Sequence, residues 1–253
     1  MKKEIYSEID SNRFGLEIGK VDEDFFFQDD FKKQIQSFKD DKFDLIITRI
    51  NLNNLDLINN LEGIGFKLCD VQSILYYPFK SHDKSILPKQ NESYTIREFN
   101  KTDIDAIVDI TAKSFNGYGG HYFNDNRLNQ KDSLDAYLDW VYNSCINKKI
   151  ADQIFVSEKD GEIAGYISVK TFTRNSQKLA DGVLGAVNPK HRGKGVFQDL
   201  AIRLIEWSIL NGCDGVENNV LINNYPVIKT YTNLGYKPNK STVTLHGWVD
   251  KMK

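Results

Sequence analysis

The sequence predicts an α/β (α+β) protein with a mixed central sheet, preceded by a smaller, truncated αβ domain. Three observations predict it. Apolar or alternating runs of strand length alternate with segments of helical periodicity along the chain. A tight basic turn, Arg192-Gly193-Lys194-Gly195, joins one such strand to a helix. A helix end with a Gly-aromatic exit occurs twice, at Asn59-Asn60-Leu61-Glu62-Gly63-Ile64-Gly65-Phe66 and at Thr232-Asn233-Leu234-Gly235-Tyr236. That echo marks residues 1–90 as a degenerate copy of the fold in 91–253, with chance recurrence of a short motif as the competing explanation.

The elements follow in order. Phe14 to Lys20 alternates and reads as a strand. Phe31, Ile35 and Phe38 mark a helix face, and Phe43 to Ile50 is the clearest buried strand of the first half. A second helix, with Leu55 and Ile58 inward, ends near Gly63, and Val71 to Phe79 is again a strand. His82 to Glu92, polar and containing Pro88, is the linker. Tyr94 to Phe99 restarts the fold as a strand. Thr102 is placed to cap a helix with Ile104, Ile107, Val108, Thr111 and Phe115 on its apolar face. Gly117 to Leu128 is a loop rich in glycine and aromatics, and Leu134, Tyr137, Leu138 and Val141 form the next helix face. Asp160-Gly161 between two strand patterns predicts a hairpin. Thr171 to Gln177 reads as a polar connection into the strand that reaches Val187. Leu200, Ala201, Leu204 and Ile205 face a helix inward, Val216 to Ile222 is a strand, and Ser241 to Trp248 is a last strand that pairs back to close the sheet.

The 253 residues suffice for one large domain or two smaller ones, and a net charge of −2 without blocks of like charge excludes a nucleic-acid partner. Met1 to Tyr6 carries two lysines without an apolar run behind them, and no stretch has the length of a membrane span, so the expectation is a cytoplasmic protein with no membrane partner. Cys69, Cys145 and Cys213 are scattered, odd in number and outside any metal-ligand spacing; they read as reduced and structural, with no metal expected.

The basic turn carries the chemistry. Gly193 and Gly195 can take positive φ at little cost, so successive backbone N–H groups can converge on an anion at the start of a helix. An ordinary strand-to-helix turn with surface cations is the bland alternative. A Walker A loop would need glycine at Asn188 and Ser or Thr at Gly195, and a dinucleotide fingerprint would need glycine at Gln198. The pattern Arg/Gln-x-x-Gly-x-Gly/Ala fits at Arg192 and Gly195 and departs at Phe197. With Val187 and Pro189 ahead of it, the stretch resembles the acetyl-CoA loop of the GNAT N-acetyltransferases. Asn224 to Tyr236 is similar to a later signature of that family, in which an Asn opens a helix, a Tyr closes it and Gly-Phe/Tyr follows.

The resemblance implies a GNAT fold whose central sheet is splayed, with acetyl-CoA as co-substrate. It implies cofactor binding by Ala186, Val187, Arg192, Gly193, Lys194, Gly195, Val196, Phe197 and Asn224. Tyr231 is then the donor to the leaving thiolate; transfer from a phenol near pKa ~10 to a thiolate near ~8.5 is roughly 2 kcal/mol uphill, which favours hydrogen bonding or late donation. For the amine proton His121 is the expected catalytic base, with a structural or substrate-orienting role and proton transfer to water as the alternative, and Glu217 as a further base candidate. No cofactor is expected in the first half, which lacks an Arg-Gly-x-Gly turn.

Gly120-His121-Tyr122-Phe123-Asn124-Asp125-Asn126-Arg127-Leu128, then Tyr137 to Val141 and Leu245-His246-Gly247-Trp248, look like the dTDP-fucosamine acetyltransferase group. That implies N-acetylation of a dTDP-linked 4-amino-4,6-dideoxyhexose for lipopolysaccharide or other surface polysaccharide. Tyr122, Asn124 and Arg127 are the expected substrate-binding residues, Arg127 facing the diphosphate, while His246 and Trp248 read as structural. Acetylation of another amine (peptide, polyamine or aminoglycoside) and a non-catalytic acetyl-CoA-binding module remain as alternatives, and a homodimer is left open.

Overall fold

The computed structural model describes residues 2–27, 31–79 and 87–253. Two short helices open the chain, α1 (Lys2–Ile5) and α2 (Glu8–Phe14), and strand β1 (Ile18–Asp22) follows. Gly15 ends α2 at φ 63°, the left-handed conformation suited to glycine at a helix exit. The expected strand from Phe14 therefore begins only at Ile18. Helix α3 (Phe31–Asp40) buries Gln34, Ile35 and Phe38, and leads to β2 (Leu45–Asn51), α4 (Leu55–Gly63) and β3 (Lys67–Pro78). In α4 the buried stripe runs through Leu57, Ile58 and Leu61. Leu55, expected inward, is exposed because it lies about a third of a turn from the stripe's centre.

The expected linker lies partly outside the described residues, His82 among them; its described part, 87–92, belongs to no helix or strand. Then come β4 (Thr95–Glu98), α5 (Ile104–Phe115), the single turn α6 (His121–Asn124) and α7 (Gln130–Ile146). The cap ahead of α5 is made by Asn100 and Asp103, not Thr102: the Asp103 carboxylate accepts the Asn100 N–H at 2.7 Å and is gripped by Arg97. The chain ends with β5 (Gln153–Lys159), β6 (Glu162–Arg174), β7 (Gln177–Val187), α8 (Val196–Leu210), β8 (Gly215–Leu221), α9 (Tyr225–Asn233) and β9 (Lys237–Trp248). Asp160 and Gly161, at φ 51° and 80°, make the expected hairpin turn. Asn175 and Ser176, at φ 49° and 62°, make a second one, so the segment expected as a polar connection is ladder from Thr171↔Ala180 to Arg174↔Gln177.

Packing divides the chain into two compact units, each discontinuous in sequence. One comprises residues 1–73, 119–133 and 240–253. Its strands run β1-β2-β9-β3, β1 parallel to β2 and β9 antiparallel to it from Leu45↔Trp248 to Asn51↔Thr242. Ile46, Ile50, Val243 and Leu245 pack one face onto Phe38, Leu61 and Phe66. In the same register Arg49, Thr244, His246 and Trp248 belong to the opposite face. The last strand, expected to close the catalytic sheet, here pairs with β2.

The other unit comprises residues 74–118 and 134–239, with strand order β3-β8-β7-β6-β5-β4. Helix α8 supplies its core with Leu200, Ala201, Leu204 and Ile205, against Phe155, Ile167 and Val169 of the sheet. Parallel strands β7 and β8 pair only at Leu179↔Gly215 and Ala180↔Val216. Beyond those two positions they part. The β6–β7 register passes from Val169↔Gly182 to Ser168↔Leu184, so Val183 is an extra residue that bends β7 where the gap opens.

Strand, helix and strand β2-α4-β3 recur as β8-α9-β9 with equal lengths and equal spacing at every boundary. Asn54 and Asn224 stand at the two N-caps, and Gly65 and Gly235 leave the helices at φ 113° and 100°.

Candidate active site

Past Ala180, β7 is hydrogen-bonded to β6 on one side, and on the other two β8 side chains reach it: Asn218 accepts the Gly182 N–H at 2.7 Å and Asn219 bonds the Asp181 carboxyl. The strand edge through Gly185 and Ala186 meets no other strand on that side and can pair with an extended ligand, while the Val187 carbonyl already accepts Ser114 Oγ at 3.4 Å. A Cβ on Gly182 would meet Asn218 Oδ1 and Leu204 Cδ2 at 3.0 Å, which explains the glycine there.

The turn after Val187 has the expected form. Asn188 caps a short turn by accepting the Lys190 N–H, and Arg192 folds back so that Nε donates to the Val187 carbonyl at 3.3 Å and a terminal nitrogen to Ser114 Oγ at 3.2 Å. Gly193 and Gly195 have φ 73° and 83°, and α8 starts at Val196. Among the described residues no backbone acceptor takes the N–H groups of Gly193, Lys194 or Gly195. Those donors and the first N–H groups of α8 make an anion cradle at a helix start. Asn91 braces it, donating through Nδ2 to the Lys194 carbonyl at 3.1 Å. The residues present therefore fit a pyrophosphate. Phe197, the departure from the family pattern, turns its ring edge to Tyr231 with centroids 5.5 Å apart.

Tyr231 is 3% exposed, and burial, then the charge of Asp181, push its phenol far above the usual range. It is therefore a neutral donor at any working pH. Asn224 stands at the start of α9, but its side chain makes no capping bond. Glu217, the further base candidate, is clamped by both terminal nitrogens of Arg174. Sequence reasoning missed Asp181, beside the end of the β7–β8 pairing. Burial, then the charge of Glu217, push its carboxyl up to about 7, and its Oδ1 is buried with no hydrogen-bond partner. A lone carboxylate inside Leu179-Ala180-Asp181-Gly182-Val183-Leu184 was the available signal.

His121, Tyr122, Asn124 and Arg127 lie in the other compact unit. There the loop is tied down residue by residue. The His121 N–H donates to Asp70 at 3.0 Å, Tyr122 Oη donates to Asp10 at 2.8 Å, and Asn124 Nδ2 donates to the carbonyls of Cys69 and Gly119 at 2.6 and 2.8 Å. Arg127 forms a two-pronged pair with Asp250 and lies 3.7 Å over the Trp248 ring. A diphosphate would have to displace that carboxylate.

Asp125 sits under the loop. One oxygen accepts His246 Nδ1–H at 2.7 Å and Trp248 Nε1–H at 2.8 Å, and the other accepts the Arg127 N–H at 3.0 Å. His246 and Trp248 are structural in the sense expected, as the supports of Asp125. Cys69, Asp125 and His246 bring ligand-type atoms within 4.8 Å of one another. The donor set is nevertheless spent internally: the carboxylate is committed to three N–H groups, and burial with the charges of Asp125 and Asp70 pushes the Cys69 thiol up to about 12. This is a hydrogen-bonded cluster.

Residues 106–236 match the model of the Acetyltransferase (GNAT) family. An uncharacterized N-acetyltransferase of Methanocaldococcus jannaschii is 27% identical over 216 residues, covering 78% of this chain and 88% of its own length. A tandem GNAT protein from the clavulanic acid biosynthesis pathway superposes with TM-score 0.58 at 14% identity, over 86% of this chain and 68% of its own. A GCN5-related N-acetyltransferase from Sphaerobacter thermophilus gives TM-score 0.57 at 13% identity over 81% of this chain, which spans 60% of that protein's length. No helix among the described residues is long and apolar enough to cross a membrane.

Proposed function

The chain belongs to the Acetyltransferase (GNAT) family and so draws on acetyl-CoA as acetyl donor; we propose that it acetylates the amino group of a nucleotide-linked amino-deoxysugar by direct attack. The observation that supports transfer most strongly is the edge of β7 that parts from β8 and runs into the cradle at Gly193 to Gly195, whose N–H groups no backbone acceptor takes among the described residues. In this reading Arg192, Gly193, Lys194, Gly195, Val196 and Phe197 hold the pyrophosphate end, with Asn224 as a further contact, and Ala186 and Val187 flank the thioester and supply an oxyanion N–H. Tyr231 hydrogen-bonds the departing sulfur. Its raised phenol favours that over full proton transfer.

For the amine proton we assign Asp181, which lies in the same compact unit as Tyr231 and titrates where a base at neutral pH must. His121, expected as the base, is kept for the acceptor, as the substrate-orienting residue. Tyr122 and Asn124 shape its loop through their bonds to Asp10, Cys69 and Gly119. The nucleotide-sugar acceptor and the place in surface-polysaccharide synthesis rest on the loop's resemblance to the dTDP-fucosamine group. The recurrence of β2-α4-β3 as β8-α9-β9 supports reading residues 1–90 as a degenerate copy of the fold, with Leu61 standing where the second copy has Tyr231.

The test is thiol release from acetyl-CoA with dTDP- and UDP-linked amino-deoxysugars, and with polyamines, aminoglycosides and peptides as controls. Turnover confined to nucleotide sugars is expected. Turnover confined to a control would reject the acceptor assignment, and cofactor binding without turnover on any amine would favour a binding module.

A further inference from the structure

We propose that Asp125 and His246 are positioning residues that hold His121 in one tautomer, with Nδ1–H pointing back into the protein and Nε2 presented as a hydrogen-bond acceptor to a hydroxyl or uncharged amine of the acceptor substrate. The inference rests on the function proposed above only for the identity of that acceptor.

The chain of bonds runs from one carboxylate. Asp125 is buried, which by itself would raise its carboxyl, but the bonds from His246, the Arg127 backbone and Trp248 hold it below the usual carboxylate range. It is an anion and can only accept. His246 must therefore carry its proton on Nδ1, 2.7 Å away. A neutral imidazole protonated there has a bare Nε2, and that atom lies 2.9 Å from Nδ1 of His121. Of the two nitrogens only His121 Nδ1 can then donate. Its own Nε2 is left as a lone pair, and among the described residues no hydrogen bond occupies it.

The groups around the ring keep it neutral. Burial, then the charges of His246, Arg49 and Lys20, hold His121 well below the usual histidine range. Against them stand Asp70, which accepts the His121 N–H through one oxygen, and Asp10, which is paired with Lys20. A second proton on His246 would lie between Asp125 and His121. That state reverses the bond between the rings: His246 Nε2–H donates to His121 Nδ1, and His121 must carry its hydrogen on Nε2. The same residue then offers a donor where it had offered an acceptor.

Nitrogen NMR on histidine-labelled full-length protein reads the tautomer directly, with His121→Asn to assign the signal among the four histidines. The expected result at pH 7.5 is a neutral His121 protonated only at Nδ1; an Nε2-protonated ring would overturn the proposal. Asp125→Asn and His246→Gln should each lose the single-tautomer signal, and retention of it in both would also overturn the assignment. With dTDP-linked 4-amino-4,6-dideoxyhexose as acceptor, His121→Asn should raise acceptor KM about tenfold and change kcat little, the effect of one lost hydrogen bond. His121→Gln, with an acceptor near the position of Nε2, should recover most of that. If no sugar is a substrate while the tautomer is as expected, the acceptor assignment fails and the relay stands.

Discussion

The side-chain carbonyl of Asn218 accepts the Gly182 N–H at 2.7 Å, immediately past the point where β7 and β8 cease to pair. A side chain thus replaces the next rung of the ladder and holds the two strands in a fixed fork. Asn218 is 1% exposed, so removing the carbonyl strands a buried donor. Asn218→Ala should cost about 1–3 kcal/mol of stability by urea unfolding. It should also weaken acetyl-CoA binding, because the fork sets the width available to the cofactor arm. Unchanged stability and affinity would mean that the fork is held elsewhere.

Tyr231→Phe removes the phenol and keeps the ring that packs on Phe197 and Tyr236. Turnover should fall about 100-fold, the scale of one well-placed proton or hydrogen-bond donor. Acetyl-CoA affinity, read by calorimetry, should stay within about twofold. An unaltered kcat would remove Tyr231 from the mechanism.

Asp181 makes a prediction about pH. Its carboxyl is raised from 3.8 to about 7, so between those values the folded protein binds a proton that the unfolded chain has released. Its contribution to stability is complete below the unfolded value and is lost as pH rises through about 7, with a limiting slope of roughly 1.4 kcal/mol per pH unit. Asp181→Asn should flatten that decline in denaturant unfolding measured between pH 5 and 8. Turnover needs the ionised form, so wild-type kcat should climb through about pH 7, and the Asn variant should lose that limb. A climb that persists in Asp181→Asn would assign the proton to another group.

Much of this architecture was legible because local signals and tertiary structure agree. The Asp160-Gly161 hairpin, the glycine turn at 193–195 and the Asn224 helix start are each specified by neighbours in sequence. Leu55 was misplaced because a short helix allows more than one apolar stripe, and the chain after Thr171 because polar residues on a long hairpin look like a loop. The pairing of β9 with β2 has no local signature at all, since nearly 200 residues separate Arg49 from Thr244. Separations of 121 and 125 residues likewise hid the Asp125–His246–His121 chain. Arg127 looked free for phosphate only because Asp250, its partner, lies so far along the chain.

Gly195 isolates the contribution of the loop's backbone. It has φ 83°, and a Cβ there would meet nothing within 4 Å, so Gly195→Ala tests conformation without a clash. The left-handed conformation costs an alanine about 1–2 kcal/mol. Acetyl-CoA affinity should fall roughly tenfold with the fold intact by circular dichroism. Unchanged affinity would show that the cradle does not depend on this N–H geometry.

The most direct measurement is single-turnover reaction of acetyl-CoA with dTDP-linked 4-amino-4,6-dideoxyhexose as the sole amine, following free thiol and the acetylated sugar together. Equal amounts of both are expected, formed at a rate that rises through about pH 7. Thiol released without acetylated sugar, or acetyl transferred to a polyamine or peptide while the sugar is left untouched, would contradict the proposed transfer.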